Sequence, residues 1–339
     1  MTAKDVAQSL SERIAPYADV RVVGIPRALM YHRLGTKWRT FFEALGREVV
    51  LSPASDRAVF ERGQLLSVDE CCLTSKLYLG HVAAVAPLCD AVFVPSFALP
   101  GTFRSYCTKF QALPDLVTNA FALVDESVRV MSALIAEGAD DKTEREGYVS
   151  LGIQLGATAK EARLAWKQAK RAQEERDAAL AEAQRDLVRR IRKVPEGARP
   201  LTILVSSHPY VAHDPFVGGT VTDALRAAGA EVLFADEFDH AKALKKADEF
   251  SRSLPWIVNR ELVGAILSLH EYVDGIVLMS AFPCGPDSMT NDAIARCVRG
   301  KPILTLTLDA QSGSAGVETR VESFVDILTY QKRGGYFHE

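Results

Sequence analysis

One pattern limits the folds open to this chain: short apolar, β-favouring runs alternate with helical stretches, and the alternation occurs twice in the same order. The first half offers VRVVGI (20–25), a helical stretch around TKWRTFFEAL (36–45), EVVL (48–51), a second helical stretch from about Asp69 to Val85, and AVFVP (91–95). The second half runs LTILVS (201–206), TVTDALRAAG (220–229), EVLF (231–234), PWIVNRELVGAILSLHEYV (255–273), GIVLMS (275–280), a helix from Ser288, PILTLTL (302–308) and a last helix near VESFVDILTY. Runs this apolar fit strands covered on both faces, and strands separated by helices are the signature of parallel βαβ units. The expected fold class is α/β: two Rossmann-like or flavodoxin-like parallel-sheet domains.

Between the halves, residues 158–193 are rich in Ala, Glu, Lys and Arg, with Ala165, Ala169, Ala172, Ala179, Ala183, Leu187 and Ile191 at three-to-four spacing. That composition predicts one long helix, closed by Pro195 and Gly197. Its small-residue stripe suits packing on a domain or partner helix, and a mostly solvated connector is the equal alternative. The expected domains are 1–140, a helical insert at 141–199, and 200–339.

A chain of 339 residues, 48% of them hydrophobic, can bury a core large enough for two domains. Forty Lys and Arg against 43 Asp and Glu leave a net charge of -3, which provides no broad cationic face for nucleic acid. The most apolar stretch, His81 to Pro100, is broken by Pro87, Asp90 and Pro95, so no membrane helix is expected. The N-terminus MTAKDVAQSLSERIAPY has no apolar signal core, and the expected location is cytoplasmic. There the six cysteines, none in a CxxC pair, are buried thiols, metal ligands or reactive groups and not a disulfide framework.

Open parallel sheets gather ligands beyond the carboxyl ends of their strands. The residues there are Pro26 and Arg27 after the first strand, Cys107 in the long loop after AVFVP, Ser207, His208, Pro209 and Tyr210 after LTILVS, and Phe282, Pro283 and Cys284 after GIVLMS. In FPCGPDSM, Gly285 and Pro286 bend the chain and Asp287 or Ser288 is expected to cap the following helix, so Cys284 faces a helix start, where a thiolate is favoured. Cys89 and Cys297 read as core positions. Cys72, near the start of the helical stretch DECCLTSKLYLGHV, and Cys107 are able to reach the same crevice. Three thiolates from distant loops suit an iron–sulfur cube with one non-cysteine corner better than a zinc knuckle, while spacing alone also allows six core thiols.

These segments resemble the acyl-CoA dehydratase activase-related (CoA-protein activase) family, which belongs with the 2-hydroxyacyl-CoA dehydratase subunits and double-cubane cluster proteins. The resemblance rests on VGIPRALMYHRLGTKWRTFFEALGREVVLSP, DECCLTSKLYLGHV, CTKFQALPD, SSHPYVAHDP, FPCGPDSM and LTLDAQSGSAGVETRVESFVD, in that order along nearly both halves. It implies a [4Fe-4S] cluster in the cleft between the domains, held by Cys72, Cys107 and Cys284. Cys71 stands where the family usually has Ala. Thr74 and Thr108 replace family prolines, Ser96 replaces an Arg, and Ala310–Gln311 interrupt an acidic-histidine segment. A double-cubane [8Fe-9S] cluster would need three more thiolates.

The family chemistry implied is one-electron reduction of a 2-hydroxyacyl-CoA, with the open iron as Lewis acid. Arg27, Lys76 and Lys109 are candidates to balance cluster charge, and His81, Ser207, His208 and Tyr210 to donate hydrogen bonds. Arg320 and Asp309 are expected to pair and fasten the last helix. No GxxxxGK[ST] loop occurs in the chain, so a separate ATP-dependent activase is the expected electron donor. A low-potential reductase or dehydratase-like component acting on an acyl-CoA or small molecule under anaerobic conditions is the first reading. The alternatives are a non-catalytic electron carrier or scaffold for the activase, a double-cubane-type small-molecule reductase, and a zinc or metal-free binding module. By family analogy the assembly is a dimer.

Overall fold

The computed structural model describes residues 15–99, 102–138, 140–310 and 314–332; the segment 1–14 and Gln311 lie outside them. The chain divides into two compact units. The first comprises Met1–Ala54, Ala58–Asp69 and Lys76–Glu175, and the second Ser55–Arg57, Glu70–Ser75 and Arg176–Glu339.

In the first unit, β1 (Val22–Ile25), β2 (Glu48–Leu51), β3 (Ala91–Phe93) and β5 (Val130–Met131) form a parallel sheet in the order β2-β1-β3-β5. The short strands β4 (Ser96–Phe97) and β6 (Leu134–Ile135) pair in parallel beside it as a separate ladder. The helix Tyr31–Ala44 buries Leu34, Trp38, Phe41 and Phe42 at three-to-four spacing. Trp38 and Phe42 meet Phe93 of β3 edge-on at 5.4 and 5.0 Å between ring centroids, each buried ring contributing about 1.5–3 kcal/mol.

The second unit repeats the plan. Strands β7 (Thr202–Ser206), β8 (Glu231–Phe234), β9 (Gly275–Ala281) and β10 (Ile303–Leu308) are all parallel in the order β10-β9-β7-β8. Every residue of β7 and β9 is buried, as central strands under helices on both faces require. In β10 Leu306 and Leu308 are buried and Thr305 and Thr307 exposed, the period-two alternation of an edge strand. Helix Ile257–Leu269 crosses helix His240–Ala247 at Gly264, where a Cβ would lie 1.8 Å from the Ala243 carbonyl oxygen, so that crossing requires glycine.

Both sheets share one doubly wound order in which the first strand of each half pairs with the second on one side and the third on the other. The chain reverses its winding direction between β1 and β3, and again between β7 and β9. Those carboxyl ends are the places where such folds bind ligands.

The long helix spans Ala159–Lys193. Thr158 and Glu161 open it reciprocally, the Thr158 N–H reaching a Glu161 carboxylate oxygen at 2.8 Å and the Glu161 N–H reaching the Thr158 hydroxyl at 3.2 Å. The small-residue stripe has two fates. Ala165, Ala169 and Ile191 are buried, whereas Ala179 and Ala183 are exposed, so the helix is packed towards its ends and solvated in its middle. Among the described residues, no helix is long and apolar enough to cross a membrane.

Two expectations need correction. Cys297 is exposed, because it closes the last turn of helix Gly285–Cys297 on the outer side. Arg320 does tie the last helix to the last strand, but it does so by donating to the Thr305 carbonyl at 2.7 Å, an acceptor on the open backbone of edge strand β10.

Candidate metal centre

Strand β9 ends at Ala281 and the chain enters a turn through Phe282, Pro283 and Cys284. The helix then starts at Gly285, not Ser288, because Pro286 at its first turn needs no N–H partner and presets the helical φ. Cys284 therefore occupies the N-cap position itself, and Asp287 moves from the expected capping role into the first helical turn.

That shift redirects the Asp287 carboxylate inward, where it is 2% exposed. Its Oδ2 meets His208 Nδ1 at 2.9 Å and its Oδ1 accepts from Asn259 Nδ2 at 2.9 Å. An ionised carboxylate only accepts, so the network assigns the His208 proton to Nδ1. His208 itself ends the loop after β7, immediately before the short helix Pro209–Ala212, and its ring stacks on Tyr210 at 4.9 Å and 12°. Ser207 is committed elsewhere, its hydroxyl donating to the Met279 carbonyl at 2.9 Å.

The ligand-capable atoms of His208, Cys284 and Asp287 all lie within 4.8 Å of one another. Burial, then the Asp287 carboxylate, hold the Cys284 thiol well above the usual range; the Asp287 backbone N–H works the other way and Cys72 raises it further. This thiol stays protonated unless a cation arrives.

Cys72 belongs to the same unit. The Leu73 N–H donates to the Phe282 carbonyl at 2.9 Å, clipping the Cys72–Leu73 segment to the turn that carries Cys284. The Cys72 sulfur lies 3.1 Å from the Ser75 hydroxyl and 3.5 Å from that of Thr74. A cavity of about 290 Å³ opens beside Leu73, lined also by Arg57, Phe216, Thr220, Leu308 and Asp309.

Cys107 lies in the first unit, half-buried, at the N-cap of helix Thr108–Gln111. Cys72, Cys107 and Cys284 thus share one local setting, the residue immediately before a helix. Also in the first unit, His81 is fully buried, with Nδ1 2.8 Å from the Ser52 hydroxyl, and that hydroxyl accepts from the Arg27 backbone N–H at 2.8 Å. This hydrogen-bonded chain pins the loops after β1 and β2. Lys76 and Lys109 are half-buried residues of the first unit.

Sequence reasoning missed Asn259 and the inward turn of Asp287. Proline two residues after Cys284 was the available signal for the latter, since it marks the helix start. Nothing local to Asn259, inside an apolar helix, announces a partner.

Solved structures matched over most of the chain include the C-terminal domain of glucosamine-fructose-6-phosphate aminotransferase from Francisella tularensis, at 10% identity over 95% of this chain and 86% of that one, with a TM-score of 0.22. The Mn-bound periplasmic metal binding protein from Candidatus Liberibacter asiaticus matches at 12% identity over 91% and 99%, with a TM-score of 0.25. Glucosamine-6-phosphate deaminase from Thermotoga maritima matches at 12% identity over 98% and 90%, with a TM-score of 0.21. At such TM-scores these likenesses carry no argument. No curated protein matches the chain. Residues 22–238, more than half of the chain, match the family described as the CoA enzyme activase uncharacterised domain. The chain belongs to that family.

Proposed function

We propose that this chain is an iron–sulfur component of a CoA-enzyme activase system, with a [4Fe-4S] cluster ligated by Cys72, Cys107 and Cys284. The observation that carries the reading is the 2.9 Å bond from Leu73 to Phe282, which ties two of these cysteine segments together at the carboxyl edge of the second sheet. The donor set fits the group: three thiols, each immediately before a helix, with hydroxyls beside the Cys72 sulfur. The structure corrects the expected thiolate at Cys284, whose burial and Asp287 neighbour keep it protonated until a cation binds. When bound, such a cluster supplies low-potential single electrons and, with three cysteine ligands, one iron open to an oxygen ligand.

The residues around it have definable tasks. Thr74, standing where the family has proline, adds a hydroxyl near Cys72, and hydrogen bonds to a ligating sulfur tune its potential. The cavity beside Leu73 is the volume in which an acyl-CoA or other small substrate places its reacting end, with Arg57 and Thr220 offering polar contacts along its wall. The electron donor in this reading is an ATP-dependent activase, and a reducing cytoplasm is the compartment.

Anaerobic purification followed by iron and sulfide determination tests the reading. Four iron and four sulfide per chain, with a paramagnetic spectrum on reduction that disappears in Cys284→Ala, are expected. Perturbation of that spectrum by added acyl-CoA identifies an enzyme, whereas indifference identifies an electron carrier. A folded chain holding neither iron nor sulfide would exclude both.

A further inference from the structure

We infer that His208, Cys284 and Asp287 form a binding site for a single zinc-like divalent cation. The site goes beyond the cluster reading, and because Cys284 serves either role, occupation by one excludes the other.

Three features converge on it. First, the donor atoms lie within 4.8 Å of one another, close enough for small side-chain movements to bring them round one ion. They come from the loop after β7 and from the turn and first helical turn after β9, the two strands between which the second sheet reverses its winding. Second, the donor types are one sulfur, one nitrogen and one carboxylate oxygen, a mixed set that suits zinc among the common divalent ions and leaves a fourth tetrahedral position open. Third, the charges cancel. A thiolate and a carboxylate neutralise a divalent ion, and this matters because the His208 and Asp287 side chains are only 5% and 3% exposed.

In the metal-free protein, His208 Nδ1 lies 2.9 Å from an Asp287 carboxylate oxygen, and the Cys284 sulfur is within 4.8 Å of both groups. Metal entry releases the thiol proton to solvent and forms the sulfur–metal bond. The imidazole gives up its Nδ1 proton, takes one at Nε2, and binds as the neutral ring; no electrons are transferred. Asn259 remains on Asp287 Oδ1 and orients the carboxylate from outside the coordination shell.

The test is titration of the full-length, metal-free chain with Co²⁺, read by the near-ultraviolet thiolate-to-cobalt band and the visible bands of tetrahedral cobalt, followed by displacement with Zn²⁺. One equivalent with a single thiolate is expected. His208→Gln and Cys284→Ala should each weaken binding by more than about 100-fold, beyond the roughly 10–100-fold expected for the outer partner in Asn259→Ala. Cys72→Ala and Cys107→Ala should bind as the parent does. Circular dichroism of each variant establishes that it is folded, and His208→Gln, which keeps a polar side chain at the site, guards against collapse. The inference is overturned if no thiolate band appears at one equivalent, if folded His208→Gln binds unchanged, or if Cys72→Ala or Cys107→Ala abolishes binding. Iron and sulfide analysis judges the cluster reading separately, so either idea can fail without the other.

Discussion

Replacing Asp287 by Ala removes the acceptor from two buried donors at once. The His208 Nδ1–H and the Asn259 Nδ2–H, each 2.9 Å from an Asp287 oxygen, would lose that acceptor in a site that is 2% exposed at Asp287. A buried donor left unsatisfied costs about 1–3 kcal/mol, so for the two donors roughly 2–6 kcal/mol should be lost from the second unit. Asp287→Asn retains a carbonyl for one of the two donors and should fall between the alanine variant and the parent. Urea unfolding of the full chain, followed by circular dichroism, reads this as a lower midpoint at constant slope. The same residue helps to keep the Cys284 thiol protonated, because a neighbouring negative charge opposes ionisation. Loss of the charge lowers the thiol's pKa, so Cys284 in metal-free Asp287→Asn should be alkylated severalfold faster at about pH 8, as read by peptide mapping. An alanine variant within about 0.5 kcal/mol of the parent, which is the range of an ordinary surface change, together with an unaltered alkylation rate in the asparagine variant, would refute the arrangement.

Lys37→Met should destabilise the first unit by about 3–5 kcal/mol, because Lys37 is 3% exposed and lies 2.8 Å from Glu137 and 2.7 Å from Glu144, which it would leave buried without a countercharge. Adding Glu144→Gln should recover part of that loss, and thermal melts of the single and double variants check it. His213 gives a pH dependence. Its burial favours the neutral ring, but Asp236 at 2.8 Å and Glu237 at 3.9 Å outweigh burial and the opposing Arg176, so its folded pKa lies above the ordinary 6.5. The protonated ring therefore contributes its full stabilisation below about pH 6 and loses it as pH rises through the raised value. The stability difference between the parent and His213→Asn should be largest near about pH 6 and shrink towards alkaline pH, measured by urea midpoints at several pH values.

The strand segments EVVL and EVLF are strands over the residues expected, and VRVVGI, LTILVS, GIVLMS and PILTLTL shift by a residue or two at their ends. Their legibility follows from burial on both faces, which leaves an uninterrupted apolar run in the sequence. The helices Arg57–Leu65 and His240–Ala247 escaped notice because their apolar stripes are short and interrupted by charge. At the site, the positions of Cys284 and His208 after strands were readable from local order alone. The bonds from Asp287 to His208 and Asn259 join residues 79 and 28 positions apart, and the sequence marks neither.

Composition and periodicity by themselves determined that this chain would build parallel sheets under helices, with a long charged helix between two similar halves, because propensity and apolar period are properties of neighbouring residues. Only the tertiary structure decided the order β10-β9-β7-β8, and with it which strand ends adjoin. It also turned Asp287 inward and sealed Lys37 between two glutamates. Such outcomes depend on which distant surfaces exclude water together, and a charged side chain reads the same in sequence whether it meets solvent or a buried partner.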